Sequence, residues 1–229
     1  MLEIIEGNIF NSRMQTLVNA VNCEGVMGAG LALECRLRYP QMYDRYQTFC
    51  AEGTFKPGKL SLYKGHDRWL LNFPTKLQWR QPSEVKYLEQ GLRKFAESWQ
   101  KLAITGIAFP LLGTDKGGLP EKRVIALMAD YLTPIAAHIP VEIYRYRADA
   151  EDDLFSQFRQ RLQQISLPEL AEATEIQKHR LERLMAAVSN GEVCQINQLA
   201  NIQGIGLKTL EKVFRYCTDN TLQIQPELF

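Results

Sequence analysis

Three stretches of this chain set amine, amide and carboxylate side chains beside glycine at the ends of apolar runs, an arrangement suited to holding an anion and acting on the atoms beside it. Residues 16–33, TLVNAVNCEGVMGAGLAL, pass from an apolar strand through Asn22 into a turn with Gly25, Gly28 and Gly30, and then into a helix. Without Cβ, the backbone can approach a diphosphate closely and take positive φ, and the first N–H groups of a helix favour negative charge. The spacing is neither GxGxxG nor a Walker A loop, since no GK(S/T) follows, so this turn alone reads equally well as a purely structural one. Two further segments repeat the plan: LLNFPTKLQWR over 70–80 and GIAFPLLGTDKGGLP over 106–120. Each is a hydrophobic strand followed by small or polar residues where a ligand sits at the strand's carboxyl end. Lys76 and Asp115 are among the groups in them able to attack carbon or move a proton, although on its residues alone Lys76 reads as a lysine capping a strand end and reaching solvent.

Elements must bring those segments together. Strand-like runs fall at 2–5, 16–21, 60–63, 69–73, 106–109 and 141–146, with helix-period segments at 31–38, 41–51, 84–99 and 121–131. In the third of these Val85, Leu88, Leu92, Phe95 and Trp99 recur every three or four residues and share one face, and Pro82 with Ser83 marks its start. Alternation of strand and helix predicts an α/β fold with a mainly parallel sheet covered on both faces. Beyond Tyr146 no strand-like run follows. The residues are rich in Glu, Gln and Arg and break at Leu167 and Pro168, which reads as a helical linker over 148–164 and a small all-helical domain over 165–229.

At roughly 150 residues per domain, the 229 residues fit one full domain with something smaller attached. Five cysteines, an odd number without CxxC, argue against a disulfide framework and a zinc site, so reduced thiols and a cytoplasmic location are expected. The amino terminus MLEIIEGNIF carries two acids and starts directly as a strand, and no apolar run approaches the ~20 residues needed to span a bilayer, so neither secretion nor a membrane is expected. His66, His138 and His179 stand in unrelated contexts with no Ser or Cys nucleophile motif nearby, which disfavours a hydrolytic triad and a metal cluster. The net charge of +1 decides little, but residues 54–101 hold ten Lys or Arg against four acids. That field favours an anionic substrate such as nucleic acid; a solvated helix face with loop lysines accounts for it equally.

VNAVN and GVMGAGLAL, followed by NFPTK, together resemble a macrodomain, the three-layer α/β/α module that binds ADP-ribose, over roughly residues 1–147. Within that family they are similar to the branch of DarG-type DNA ADP-ribosyl glycohydrolases and their eukaryotic terminal ADP-ribose glycohydrolase relatives. The resemblance implies a mixed, mainly parallel sheet and ADP-ribose as ligand, with no metal and no further cofactor. It assigns Asn22 to the ribose carrying the modification, Gly28, Ala29, Gly30 and Leu31 to a first diphosphate loop, and Gly113, Thr114, Lys116, Gly117, Gly118 and Leu119 to a second. Thr75 falls among the ligand contacts and Lys76 on the catalytic lysine. Departures are evident. Gly7, Asn8 and Ile9 replace the family's GD(I/L) turn, leaving Asn8 to offer adenine a carbonyl oxygen without charge. Ala29 stands where a lysine is common, Thr114 and Asp115 replace small residues, and the eukaryotic relatives' catalytic aspartate falls at Gly117.

Two routes are open to Lys76: as a neutral amine attacking the opened sugar, or as a cation polarising the leaving group or orienting water. Asp115 is a candidate general base, or simply a loop carboxylate paired with Lys116 or solvated. Trp79 and Arg80 suit stacking on a base or pairing with a phosphate at the mouth of the site, or ordinary packing. In the helical region, LANIQGIGLKTLEKVF over 199–214 resembles a helix-hairpin-helix motif, in which Gly204, Gly206 and Lys208 would meet a DNA phosphate irrespective of sequence; its other reading is a tight turn with glycine as a cap. The resemblance implies removal of ADP-ribose from a nucleic-acid base, DNA thymidine foremost, as antidote to a DNA-modifying ADP-ribosyltransferase toxin, with that toxin and ADP-ribosylated DNA as partners. A non-catalytic ADP-ribose sensor and a hydrolase of a small ADP-ribose derivative remain alternatives.

Overall fold

In a computed structural model describing residues 1–219, six strands form one sheet: β1 (Leu2–Gly7), β2 (Thr16–Val21), β3 (Ser61–Lys64), β4 (Trp69–Pro74), β5 (Ile107–Pro110) and β6 (Val141–Tyr146). Residues 220–229, the end of the expected helical domain, lie outside the described residues. The strand order is β1-β6-β5-β2-β4-β3, parallel throughout except where β3 runs against β4. This is the expected mixed, mainly parallel sheet. Parallel neighbours need crossovers, and α1 (Gly30–Arg38), α2 (Pro40–Ala51), α3 (Val85–Ser98) and α4 (Glu121–Ala136) supply the helices for them.

The period of two along β2 divides the core between the sheet's faces. Leu17 and Val21 pack with Met27, Met42, Tyr46 and Leu70, while Val18 packs with Phe73, Leu88, Leu92, Phe95 and Met128 on the other side. Two asparagines are buried within this sheet. Asn19 and Asn72 are register partners on β2 and β4: Asn19 Nδ2 donates to Asn72 Oδ1 at 2.9 Å and Asn72 Nδ2 to Met42 Sδ at 3.1 Å, while Asn19 Oδ1 has no partner among the described residues.

Helix α4 extends past the expected end at Tyr131 and carries Pro134 inside it. A proline this close to a helix end removes only a last-turn hydrogen bond, and Leu132 and Ile135 stay buried in continuation of Val124 and Met128. What matters most for chemistry is the order β5-β2-β4 at the centre of the sheet. It sets the carboxyl ends of three parallel strands side by side, and these are the strands that lead into the three segments singled out above.

The chain divides into two compact units at Arg147 and Ala148. The second contains α5 (Asp153–Leu162), α6 (Leu167–Thr174), α7 (Lys178–Ser189), a short 3-10 turn at Ile196–Asn201 and α8 (Leu207–Asp219). Residues 148–164, expected as a linker, are built into this unit: Leu154, Phe155, Phe158 and Leu162 are buried, and Arg161 Nη1 donates to the carbonyls of Tyr216 at 3.3 Å and Cys217 at 3.2 Å. The break at Leu167 and Pro168 is the start of α6. Ser166 and Glu169 form a reciprocal capping box there, and Pro168 occupies the first turn, where its missing N–H costs nothing.

Candidate functional site

At the end of β2 the Asn22 side chain, 7% exposed, shapes the first loop from within. Its Oδ1 accepts from the N–H groups of Glu24 at 2.9 Å and Val26 at 3.3 Å, and its Nδ2 donates to the Val26 carbonyl at 2.6 Å. The Tyr46 hydroxyl on α2 reaches both the Asn22 backbone carbonyl and Oδ1, at 2.9 and 3.0 Å. These are Asx-turn bonds that fold a loop on its own asparagine. Met27, fully buried, then anchors the loop, whereas Gly28, Ala29 and Gly30 are exposed. Gly30 has φ of +55°, which favours glycine. Helix α1 opens there with Ala29 as an N-cap lacking a capping side chain and with no acid in its first turn, so its leading N–H groups and positive dipole end are unopposed.

The second loop follows β5 and is closed by its own backbone: Leu119 N–H donates to the Gly113 carbonyl at 3.0 Å, and Gly118 N–H to the Asp115 carbonyl at 3.2 Å. Ser83 N–H donates to the Gly117 carbonyl at 2.9 Å, and Thr114 Oγ1 to the Leu111 carbonyl at 3.1 Å. A Cβ on Gly117 would stand 2.3 Å from both the Gly113 carbonyl oxygen and Ser83 Oγ. An aspartate at that position, as in the eukaryotic relatives, therefore has no room.

On the side of β2 away from β5 lies the end of β4. Thr75 is buried, its N–H donating to the Val21 carbonyl at 2.9 Å, and Cys23 N–H donates to the Leu77 carbonyl at 3.0 Å, so Asn22 and Lys76 lie on bonded, adjoining segments. The partly buried Lys76 donates from Nζ to the carbonyl of Lys116 in the second loop, at 2.7 Å. Desolvation holds the Lys76 amine below the usual lysine range, and the negative charge of Asp115 opposes that shift. The Asp115 side chain itself is 83% exposed and 4.0 Å from the Lys116 ammonium, a loose surface pair. It reaches the amine by charge. Cys23, next to Asn22, has its thiol pushed up to about 12 mainly by burial, which keeps it protonated and poor as a nucleophile.

Trp79 and Arg80 continue the same segment at the surface. Trp79 N–H donates to the Glu24 carboxylate at 2.8 Å, and the Arg80 guanidinium lies 4.3 Å from the centre of the Trp79 ring. The structure thus brings together Asn22, Thr75, Lys76, Asp115, Lys116 and the Trp79–Arg80 pair. Asn8 and Ile9 follow β1 at the sheet edge, away from β4 in strand order, and both are buried. Asn8 Oδ1 accepts from its own chain, at Phe10 N–H and 3.0 Å, starting a 3-10 turn. Tyr46, Ser83 and Glu24 were not among the expected site residues. Only Glu24, a lone charge inside a glycine-rich turn, carried a local signal.

In the helical unit Gly204 has φ of +86° and Ile205 is buried beneath the turn, its N–H donating to the Ile202 carbonyl at 3.0 Å. Arg183 Nη1 donates to the Gln203 carbonyl at 3.1 Å and Arg180 Nη1 to Thr209 Oγ1 at 3.3 Å, while Gly206 and Lys208 are exposed at the start of α8. Among the described residues no group of three or more His, Cys, Asp or Glu is placed to hold a metal ion, and no helix is long and apolar enough to cross a membrane.

The Macro domain family model matches residues 18–128. A DNA ADP-ribosyl transferase–DNA ADP-ribosyl glycohydrolase fusion protein of Thermosipho africanus is 40% identical over 162 residues, 62% of this chain and 41% of the relative. The solved macrodomain of Thermus aquaticus DarG is 35% identical with a TM-score of 0.60, covering 63% of this chain and 98% of that one. Thermosipho africanus DarTG, solved in complex with ADP-ribose, is 39% identical with a TM-score of 0.59, covering 66% of this chain and 43% of that one. The chain spans about two-fifths of the length of the curated relatives it matches.

Proposed function

This chain belongs to the macrodomain family and is homologous to DarG macrodomains, and from that premise we propose that it is an ADP-ribosyl glycohydrolase that releases ADP-ribose from a modified nucleic-acid base, DNA thymidine foremost. The observation that carries the reading is Lys76: a partly desolvated amine at the end of a central strand, in contact with the second glycine loop and within the field of Asp115. Backbone N–H groups of the first loop and of α1 hold one side of the diphosphate and the second loop holds the other. That leaves the terminal ribose at the amine.

The lowered pKa favours the neutral-amine route over the cationic one. The Lys76 nitrogen attacks the anomeric carbon, the pair in the bond from that carbon to the base goes to the base nitrogen, and the base leaves with a proton. The lysyl glycosylamine then opens to an imine as its N–H proton passes to the ring oxygen, water adds to that carbon and the lysine leaves, so the sum is ADP-ribosyl base plus water giving ADP-ribose plus base. Asp115 accepts or returns the proton. In this role the enzyme consumes the product of a DNA ADP-ribosyltransferase, and the fused Thermosipho relative, whose name joins the two activities in one polypeptide, supports such a pairing. The exposed Gly204–Gly206 turn with Lys208 is proposed to add sequence-independent phosphate contact from the helical unit.

Release of ADP-ribose from ADP-ribosylated DNA tests the proposal. Lys76→Ala should lower turnover by about 10²- to 10⁴-fold while ADP-ribose binding persists. Equal release by both proteins removes Lys76 from the reaction, and tight ADP-ribose binding with no release by either returns the chain to the sensor reading. Borohydride should trap an ADP-ribosyl adduct on wild type and not on Lys76→Ala; without an adduct, the cationic route stands.

A further inference from the structure

On the two loops that carry Asn22 and Lys76, three large apolar side chains are exposed for which the cleavage chemistry gives no use. Val26, Leu77 and Trp79 are 36%, 41% and 46% exposed, among the most exposed large hydrophobic residues of the described chain. They lie on two loops fastened to each other by Cys23 N–H to the Leu77 carbonyl and Trp79 N–H to the Glu24 carboxylate. Trp79 is three residues beyond Lys76, so at most about 11 Å of chain separates their backbones. An exposed indole carried on a backbone whose N–H is tied to the Glu24 carboxylate, with a guanidinium stacked on it, offers two planar surfaces and one positive charge.

We propose that the Trp79–Arg80 stack is a nucleobase subsite: it receives the base next to the modified nucleotide in a single-stranded nucleic acid, and Glu24 is the residue that positions it. The proposal rests on Lys76 as the reaction centre, because that fixes where the modified nucleotide sits and sends its neighbour along residues 77–80. Every base has a π-face, so recognition of this kind tolerates sequence. Bases inside a duplex are already stacked on each other, which excludes them. Arg80 adds attraction for the intervening phosphate, and the Glu24 carboxylate, engaged with Trp79 N–H, is kept from opposing it as a free charge. The excess of Lys and Arg over 54–101 extends the same field along the strand.

Steady-state release of ADP-ribose by the full chain, from a single-stranded ADP-ribosylated oligonucleotide and from the ADP-ribosylated nucleoside alone, separates the subsite from the reaction centre. Trp79→Ala should raise KM for the oligonucleotide about tenfold, leave kcat in place and leave both parameters for the nucleoside unchanged. Glu24→Ala should reproduce that split, and Glu24→Gln, which keeps an acceptor for Trp79 N–H, should restore wild-type values. Unchanged KM on the oligonucleotide, equal losses on both substrates, or duplex turnover as fast as single strand would overturn the subsite. Should wild type release ADP-ribose from neither substrate, the glycohydrolase reading fails, and fluorescence decides the subsite by itself. Quenching by unmodified oligothymidylate that disappears in Trp79→Phe supports a base on that ring, and no quenching in wild type removes it.

Discussion

Gly28 and Gly30 in the first loop stand against open space, whereas Gly113 and Gly117 in the second are pressed onto Ser83. A Cβ on Gly30 would meet nothing within 4 Å and one on Gly28 only Val26 Cγ1 at 3.9 Å, while a Cβ on Gly113 would sit 2.8 Å from Ser83 Cβ. The first loop keeps its shape through the Asn22 amide and the Tyr46 hydroxyl, so its glycines are free to serve backbone approach and positive φ. The second keeps its shape through the closeness its glycines allow. Two loops of similar composition on neighbouring strands therefore fail in different ways when a methyl is added.

Gly117→Ala should have the largest effect. The new methyl meets backbone and a buried hydroxyl at 2.3 Å, and the overpacked loop should cost about 1–3 kcal/mol in chemical unfolding. With the carbonyl of Lys116 displaced, turnover should fall about 10²-fold. Gly28→Ala should leave stability within about 0.5 kcal/mol and still weaken ADP-ribose binding about tenfold by calorimetry, since the methyl projects where the diphosphate approaches; undiminished binding would erase the distinction between the loops. Asp115→Asn, at a side chain 83% exposed, should have the smallest effect on stability and sharpen the comparison through pH. Its carboxylate opposes the desolvation that lowers the Lys76 pKa, so its removal lets that pKa fall further. If the neutral amine is the active form, the rising limb of the pH–rate profile should move to lower pH; a limb that stays put would uncouple the second loop from the amine.

The alternation of strands and helices, the two glycine loops and the lysine of NFPTK were legible in the sequence because each is set by residues close together in the chain. Contacts across long separations were not. Asn19 and Asn22 stand in nearly the same apolar surroundings, and only the pairing of β2 with β4 buries the first against Asn72 and leaves the second at the loop. The pairs Asn22–Tyr46, Ser83–Gly117 and Glu24–Trp79 depend on the order of strands in the sheet, which no local period records. Helix α4 runs past the expected end at 131 and through Pro134, because packing of Leu132 and Ile135 outweighs one missing hydrogen bond near a terminus.

The bond from Lys76 Nζ to the Lys116 carbonyl latches the segment after β4 to the second loop. On the proposed reading, a nucleotide that ends at its second phosphate lies along both loops and gives the amine nothing in exchange for that carbonyl, whereas a molecule extending one sugar farther supplies a substitute partner and releases the catch. On the proposed chemistry, the abundant adenine nucleotides of a cell thus act as weak tenants that leave the reactive nitrogen guarded.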